Sequence, residues 1–152
     1  MKSKTETRSL KLERTMKAPA ERIYKAFIDA HAGNKFRAPH GNTASVTMFE
    51  PKVGGKFAYD VRPLGGDHVG SMSGVFTELT EFTKLAWTEG FEPMPPGMEG
   101  KQNVTVTLAE KNGVTKITFE VTGIPAMIPV DAAGGAYSQQ LDLLKLLVES
   151  EW

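Results

Sequence analysis

The chain of 152 residues contains no cysteine. Disulfides and cysteine-ligated metal sites are thereby excluded, and the absence fits a reducing compartment. Charge of one sign is also missing: 18 Lys and Arg stand against 18 Asp and Glu. A general nucleic-acid binder carries a basic excess or stripe. Neither is visible, so no nucleic-acid partner is expected. Long apolar runs are absent too. No stretch approaches the ~18 residues of a membrane span. The opening "MKSKTETRSLKLERTMK" is charged throughout, without the apolar centre of a signal peptide. The expectation is a cytoplasmic protein with one domain over 1–152. At this length a domain buries roughly 68–70% of its unfolded surface, so no staples are needed. Histidine is scarce. His31, His40 and His68 have no metal-ligand spacing and read as solvated loop side chains. No metal and no cofactor are expected.

What is present is patterned. "SLKLERTM" (9–16) alternates as a strand. "KAPAERIYKAFIDA" follows as an amphipathic helix. Pro19 suits its first turn, Glu21 its positive end, and Ile23 and Phe27 are i,i+4 partners. "HAGNKFRAPHGN" reads as a short helical turn and a loop. The signal then becomes β. "SVTMFEP" and "KFAYDVR" flank the turn "KVGG" (52–55), with Phe57, Tyr59 and Val61 on one face. After the turn "PLGGD" (63–67) come the strands "HVGSMSGVFTEL" and "KLAWTEGF". "NVTVTLAE" and "TKITFEVT" flank "KNG", and Asn-Gly between alternating runs is the strongest short hairpin signal. Residues 131–150 predict a long helix, with Tyr137, Leu141, Leu144 and Val148 in one stripe beside Leu143 and Leu147. About six antiparallel strands thus precede a helix. Only the inner face of their sheet is large enough to bury that stripe.

Two glycines interrupt the strand "GSMSGVFTEL". Gly70 and Gly74 share a face with Met72, because positions two and four apart lie on the same side. Glycine weakens a strand, so its presence marks a bend or a close approach to the backbone. The pair either relieves crowding under the helix or floors a cavity there.

Candidate chemistry is thin. Alternation puts Asp60 outside, and Glu78 and Glu89 read as exposed, so no carboxylate pair supports acid–base catalysis. Ser71 and Ser73 lack a nucleophile elbow, and "VGGK" and "PLGGD" are turns rather than phosphate loops. No catalytic residue is assigned. The aromatic and methionine set is more informative. Phe27, Phe36, Tyr59, Met72 and Gly74 are candidate pocket-lining residues. Trp87, Phe91, Phe119, Tyr137 and Leu141 complete the set. Such a pocket would be mostly apolar, with polar tips from Tyr59, Tyr137, Trp87 and Gln140. An ordinary packed core is the alternative. Two Pro- and Gly-rich loops, 89–101 and 123–135, carry Phe91, Met94, Met98, Met127 and Ile128. A methionine-rich rim can repack around varied partners, which suits a gated pocket or a protein-contact patch.

Five stretches in order resemble the START-like (SRPBCC, helix-grip) superfamily, and within it the AHSA1-like branch, named for the activator of Hsp90 ATPase homologue 1. They are "ERTMKAPAERIYKAFID", "FEPKVGGKFAYDV", "GSMSGVFTEL", "KLAWT" and "AYSQQLDLLKLL". The branch's Trp-Trp pair after the first helix is replaced by Lys35 and Phe36, and its closing Gly-Trp by Ala136 and Tyr137. The resemblance implies an α+β helix-grip fold: a curved antiparallel sheet around a long C-terminal helix, with short helices after the first strand. It implies that the loop holding His40 lies near a pocket mouth. The function expected is non-catalytic binding of a small apolar or aromatic molecule, by a monomer or homodimer. The alternatives are a protein-interaction module acting like an Hsp90 co-chaperone in a stress response, and a cyclase- or hydrolase-like enzyme using the same pocket.

Overall fold

The computed structural model of the chain describes residues 7–38, 41–64, 70–93, 100–126 and 128–150. The elements are β1 (Thr7–Met16), α1 (Ala20–Phe27), α2 (Ala30–Phe36), β2 (Asn42–Phe49) and β3 (Lys56–Pro63). β4 (Gly70–Thr80), β5 (Lys84–Glu92), β6 (Gln102–Lys111), β7 (Val114–Pro125) and α3 (Val130–Glu149) follow. The fold is α+β, with one seven-stranded antiparallel sheet in the order β1-β7-β6-β5-β4-β3-β2. β2 to β7 form the meander that the turns predict. β1 crosses back to pair with β7, setting Leu12 opposite Phe119. The β6–β7 turn has Asn112 and Gly113 at φ 55° and 78°, the left-handed pair a tight two-residue hairpin requires. Register shifts with an extra residue on β7, β2 and β4 bend the sheet, since an extra residue in one strand kinks it.

Alternation decides which side chains face inward. Phe57 and Tyr59, Phe76, Leu85 and Trp87 are buried on the concave side. Val104 and Val106 on β6, with Ile117, Phe119 and Val121 on β7, continue that face. α3 lies across it, burying Tyr137, Leu141, Leu144 and Val148, and one apolar cluster joins sheet and helices. α1 closes an end of this core. Arg22 donates to the Val148 carbonyl at 2.9 Å, and Glu110 of β6 accepts the Ala20 N–H at 2.7 Å.

Three expectations shift. The short helical turn expected after the first helix is a full helix of its own, α2. Asp29 ends the first by capping the second, its carboxylate accepting the N–H groups of His31 and Ala32. His31 is therefore an exposed helical residue, not a loop residue. The loop expected at 123–135 shrinks, because β7 runs to Pro125 and α3 begins at Val130. Gly134 and Gly135 are helical despite poor propensity, carried by the apolar stripe that follows them. His40, His68, Met94, Met98, Met127 and most of the 63–67 turn lie outside the described residues.

Candidate functional site

The first two turns of α3 carry small side chains. Ala132, Ala133 and Ala136 do not reach the sheet, and a cavity of about 380 Å³ opens beneath them. Its opposite wall is the sheet: Tyr59 and Val61 of β3, Met72 of β4, Phe91 of β5 and Gln102 of β6. Ile128, Arg37, Asn42, Tyr137 and Gln140 complete it. Of the loop expected at 89–101, residues 89–92 belong to β5, so the β5–β6 connection begins just after one wall residue, Phe91, and ends just before another, Gln102. A second depression of about 380 Å³ lies on α1 among Pro19, Glu21, Arg22 and Lys25. Its charged side chains are engaged elsewhere, Lys25 with Glu21 and Arg22 with the end of α3.

A buried polar system adjoins the main cavity. Glu89 is 2% exposed, and each of its oxygens has a donor: Trp87 Nε1 at 2.7 Å and the Tyr137 hydroxyl at 2.6 Å. Gln102 lies 3.1 Å from the same hydroxyl. A phenol has one proton. With Glu89 as its acceptor, Gln102 completes the set by turning its NH₂ toward the phenol oxygen. Burial first, then the negative Glu89 and the hydrogen bond to it, push the Tyr137 phenol far above its usual value. Burial, then Glu89, also raises Tyr59, with Arg37 opposing.

Arg37 follows α2 directly and is 3% exposed. Its guanidinium is boxed by aromatic rings, 5.0 Å from the centroids of Phe36 and Trp87, 5.6 Å from Phe27 and 5.7 Å from Phe57. Ring faces attract the cation but offer no lone pair in the ring plane. Its Nη2 is buried without a hydrogen-bond partner.

Of the residues proposed from sequence, Tyr59, Met72, Phe91 and Tyr137 line this cavity together. Phe27, Phe36, Trp87, Phe119 and Leu141 instead belong to the packed core. Gly74 is a correction. A Cβ there would run into the Thr88 carbonyl and lie 2.7 Å from Phe57 Cζ, so it admits neighbours and floors no cavity. Gly70 likewise seats the Phe91 ring. Glu89 is the second correction, buried rather than exposed. The period that puts Leu85, Trp87 and Phe91 inside puts Glu89 inside as well, and that signal was legible. Gln102 could be found the same way, two positions before Val104. Arg37 had no comparable signal, because its burial depends on rings from α1, α2, β3 and β5. Asp60 accepts a hydrogen bond from Ser71 at 2.8 Å, a partner across the β3–β4 ladder rather than in the cavity. Among the described residues no three of His, Asp and Glu converge to hold a metal, and no helix is long and apolar enough to cross a membrane.

The fold can be set beside known proteins. A protein of Chromobacterium violaceum superposes with a TM-score of 0.88 at 28% identity, over 94% of this chain and 98% of that one. An Arthrobacter aurescens protein gives 0.81 at 20% identity, over 92% and 85% of the two chains. An AHSA1-like protein of Aeromonas hydrophila gives 0.76 at 19%, over 93% and 92%. No curated protein matches the sequence. The family model described as activator of Hsp90 ATPase homolog 1-like protein matches residues 17–149, from the end of β1 to the end of α3. The chain belongs to that AHSA1-like family, within the helix-grip architecture.

Proposed function

We propose that this protein is a non-catalytic binder of a small apolar or aromatic molecule, held between the sheet and the first turns of α3. The observation that carries this reading is the cavity of about 380 Å³, walled by Met72, Phe91, Ile128 and three alanines. Small-molecule sites are concave, mostly apolar and fitted with a few polar groups, and ~300–1,000 Å³ is their usual range. Catalysis has less support. The one buried acid among the described residues, Glu89, has both oxygens occupied and does not line the cavity. A protein-docking role, as the family name suggests, finds no continuous apolar face among the described residues. The exposed large apolar residues Met48, Val53, Leu64, Val114 and Leu146 sit on separate elements.

The test is a titration with a fluorescent hydrophobic probe, parent against Ala136→Leu. A leucine at 136 projects into the cavity and should weaken the probe roughly tenfold or more, since it removes space for an apolar body. Equal affinity in both proteins, with both folded, would end this reading.

A further inference from the structure

The cavity wall has a charge asymmetry that an apolar binder does not need. Among the described residues Arg37 is its only formal charge; Tyr59, Tyr137, Gln102, Gln140 and Asn42 are neutral. A guanidinium keeps its charge at every pH a fold survives. Burying it is costly unless hydrogen-bond acceptors and a counter-charge replace water. The four rings hold its faces, yet Nη2 has no acceptor. No carboxylate among the described residues lies within ion-pair distance of it. Glu89 is the only buried acid among them; it accepts from Trp87 and Tyr137 and forms no ion pair with Arg37. The donor is therefore fixed in place and unanswered among the described residues.

We infer that the cavity takes an apolar monocarboxylate, its carboxylate set on Arg37 Nη2 and its body along Met72, Phe91, Ile128 and Ala133. This rests on the binding role proposed above and names the class of molecule. A carboxylate supplies what Arg37 lacks: an acceptor for Nη2, joined by a charge-assisted hydrogen bond. The rings around Arg37 hold the guanidinium plane in advance, so little side-chain freedom is lost on binding. Aliphatic and aromatic acids share this chemistry, and the experiment separates them.

The experiment compares matched pairs by calorimetry: decanoate with decanol, and 3-phenylpropionate with 3-phenylpropanol. Each acid should bind roughly tenfold or more tighter than its alcohol, as expected for a hydrogen bond to a charged group. The pair with the tighter acid tells whether the body is a chain or a ring. In Arg37→Met the acid-to-alcohol affinity ratio should fall to about one. That variant removes an unanswered buried cation and keeps an apolar stem among the rings, so its melting temperature should be unchanged or higher. The parent protein gives a second readout independent of any variant: the Arg37 Nε–H resonance should move with the acid and stay with the alcohol. Equal binding of acid and alcohol would overturn the carboxylate while leaving an apolar cavity intact. An acid preference that survives in Arg37→Met would overturn the role of Arg37. Binding of neither member of either pair would overturn this inference and the binding role together.

Discussion

The two halves of α3 face the same sheet and do opposite things. From Leu141 onward the helix buries Leu141, Leu144 and Val148 and closes the core. From Ala132 to Ala136 it presents alanine and glycine, and a chamber remains. Backbone and sheet are continuous across the boundary. Side-chain volume alone decides whether the grip closes on itself or leaves space. Tyr137 stands at the changeover, buried, with its hydroxyl tied to Glu89. The open half is also the half with the weaker intrinsic helix, because two glycines fall within it. Space beneath the helix thus coincides with low local helix propensity, which a chain selected for stability alone would not retain.

The largest effect expected is an alkaline one. The chain has three tyrosines, Tyr24, Tyr59 and Tyr137, and burial raises all of them above the ordinary phenol. A raised pKa in the fold means that stability is complete below the unfolded value near ~10 and is lost as pH rises beyond it. Phenolate absorbance should therefore appear together with loss of tertiary structure, in one transition. Tyr59 or Tyr137 titrating near the ordinary value in the intact fold would show water filling the open half. Leu144→Ala comes next. It deletes a fully buried side chain from the closed half and should cost ~2–5 kcal/mol in a urea titration. Gly74→Ala should cost ~1–3 kcal/mol, as overpacking does, because the Thr88 carbonyl in its way is backbone. A neutral result there would mean that β4 and β5 separate more easily than their register implies. Ala136→Leu should change stability by less than about 1 kcal/mol, since it fills space instead of creating strain. Gly135→Ala closes the series. A Cβ there meets nothing within 4 Å, and the helix should gain ~0.5–1 kcal/mol. A loss would mean that the open half is tighter than its geometry suggests.

Much of this was written in local patterns. Alternation and turn chemistry place all seven strands, and the stripe from Tyr137 to Val148 places the last helix. The Asn112-Gly113 turn follows from two residues. The misses share a cause. Gly74 was legible as an anomaly, but its reason is the Thr88 carbonyl on the neighbouring strand. The loop expected before α3 was read from Gly and Pro punctuation, and tertiary burial overrode it for residues 130–135. Glu89 was misread because acidic residues are rarely buried, although its own strand's alternation pointed inward. Arg37 is a different case. No local period marks it, since its four rings come from separated segments and meet only in the closed fold.

The pairing of β1 with β7 sets the order in which this chain can be finished. β1 leaves the ribosome before every other element, yet its only partner in the sheet is the last strand. Until residues 114–125 have emerged, Leu10 and Leu12 have no strand to lie beside, while β2 to β6 can already form hairpins in sequence. Closing so long a loop is entropically the slow step, and contacts distant in sequence lower folding rates accordingly. The topology therefore allows the nascent chain a state with a meander assembled and its first strand waiting. Completion by β7 and α3 converts that state into the grip.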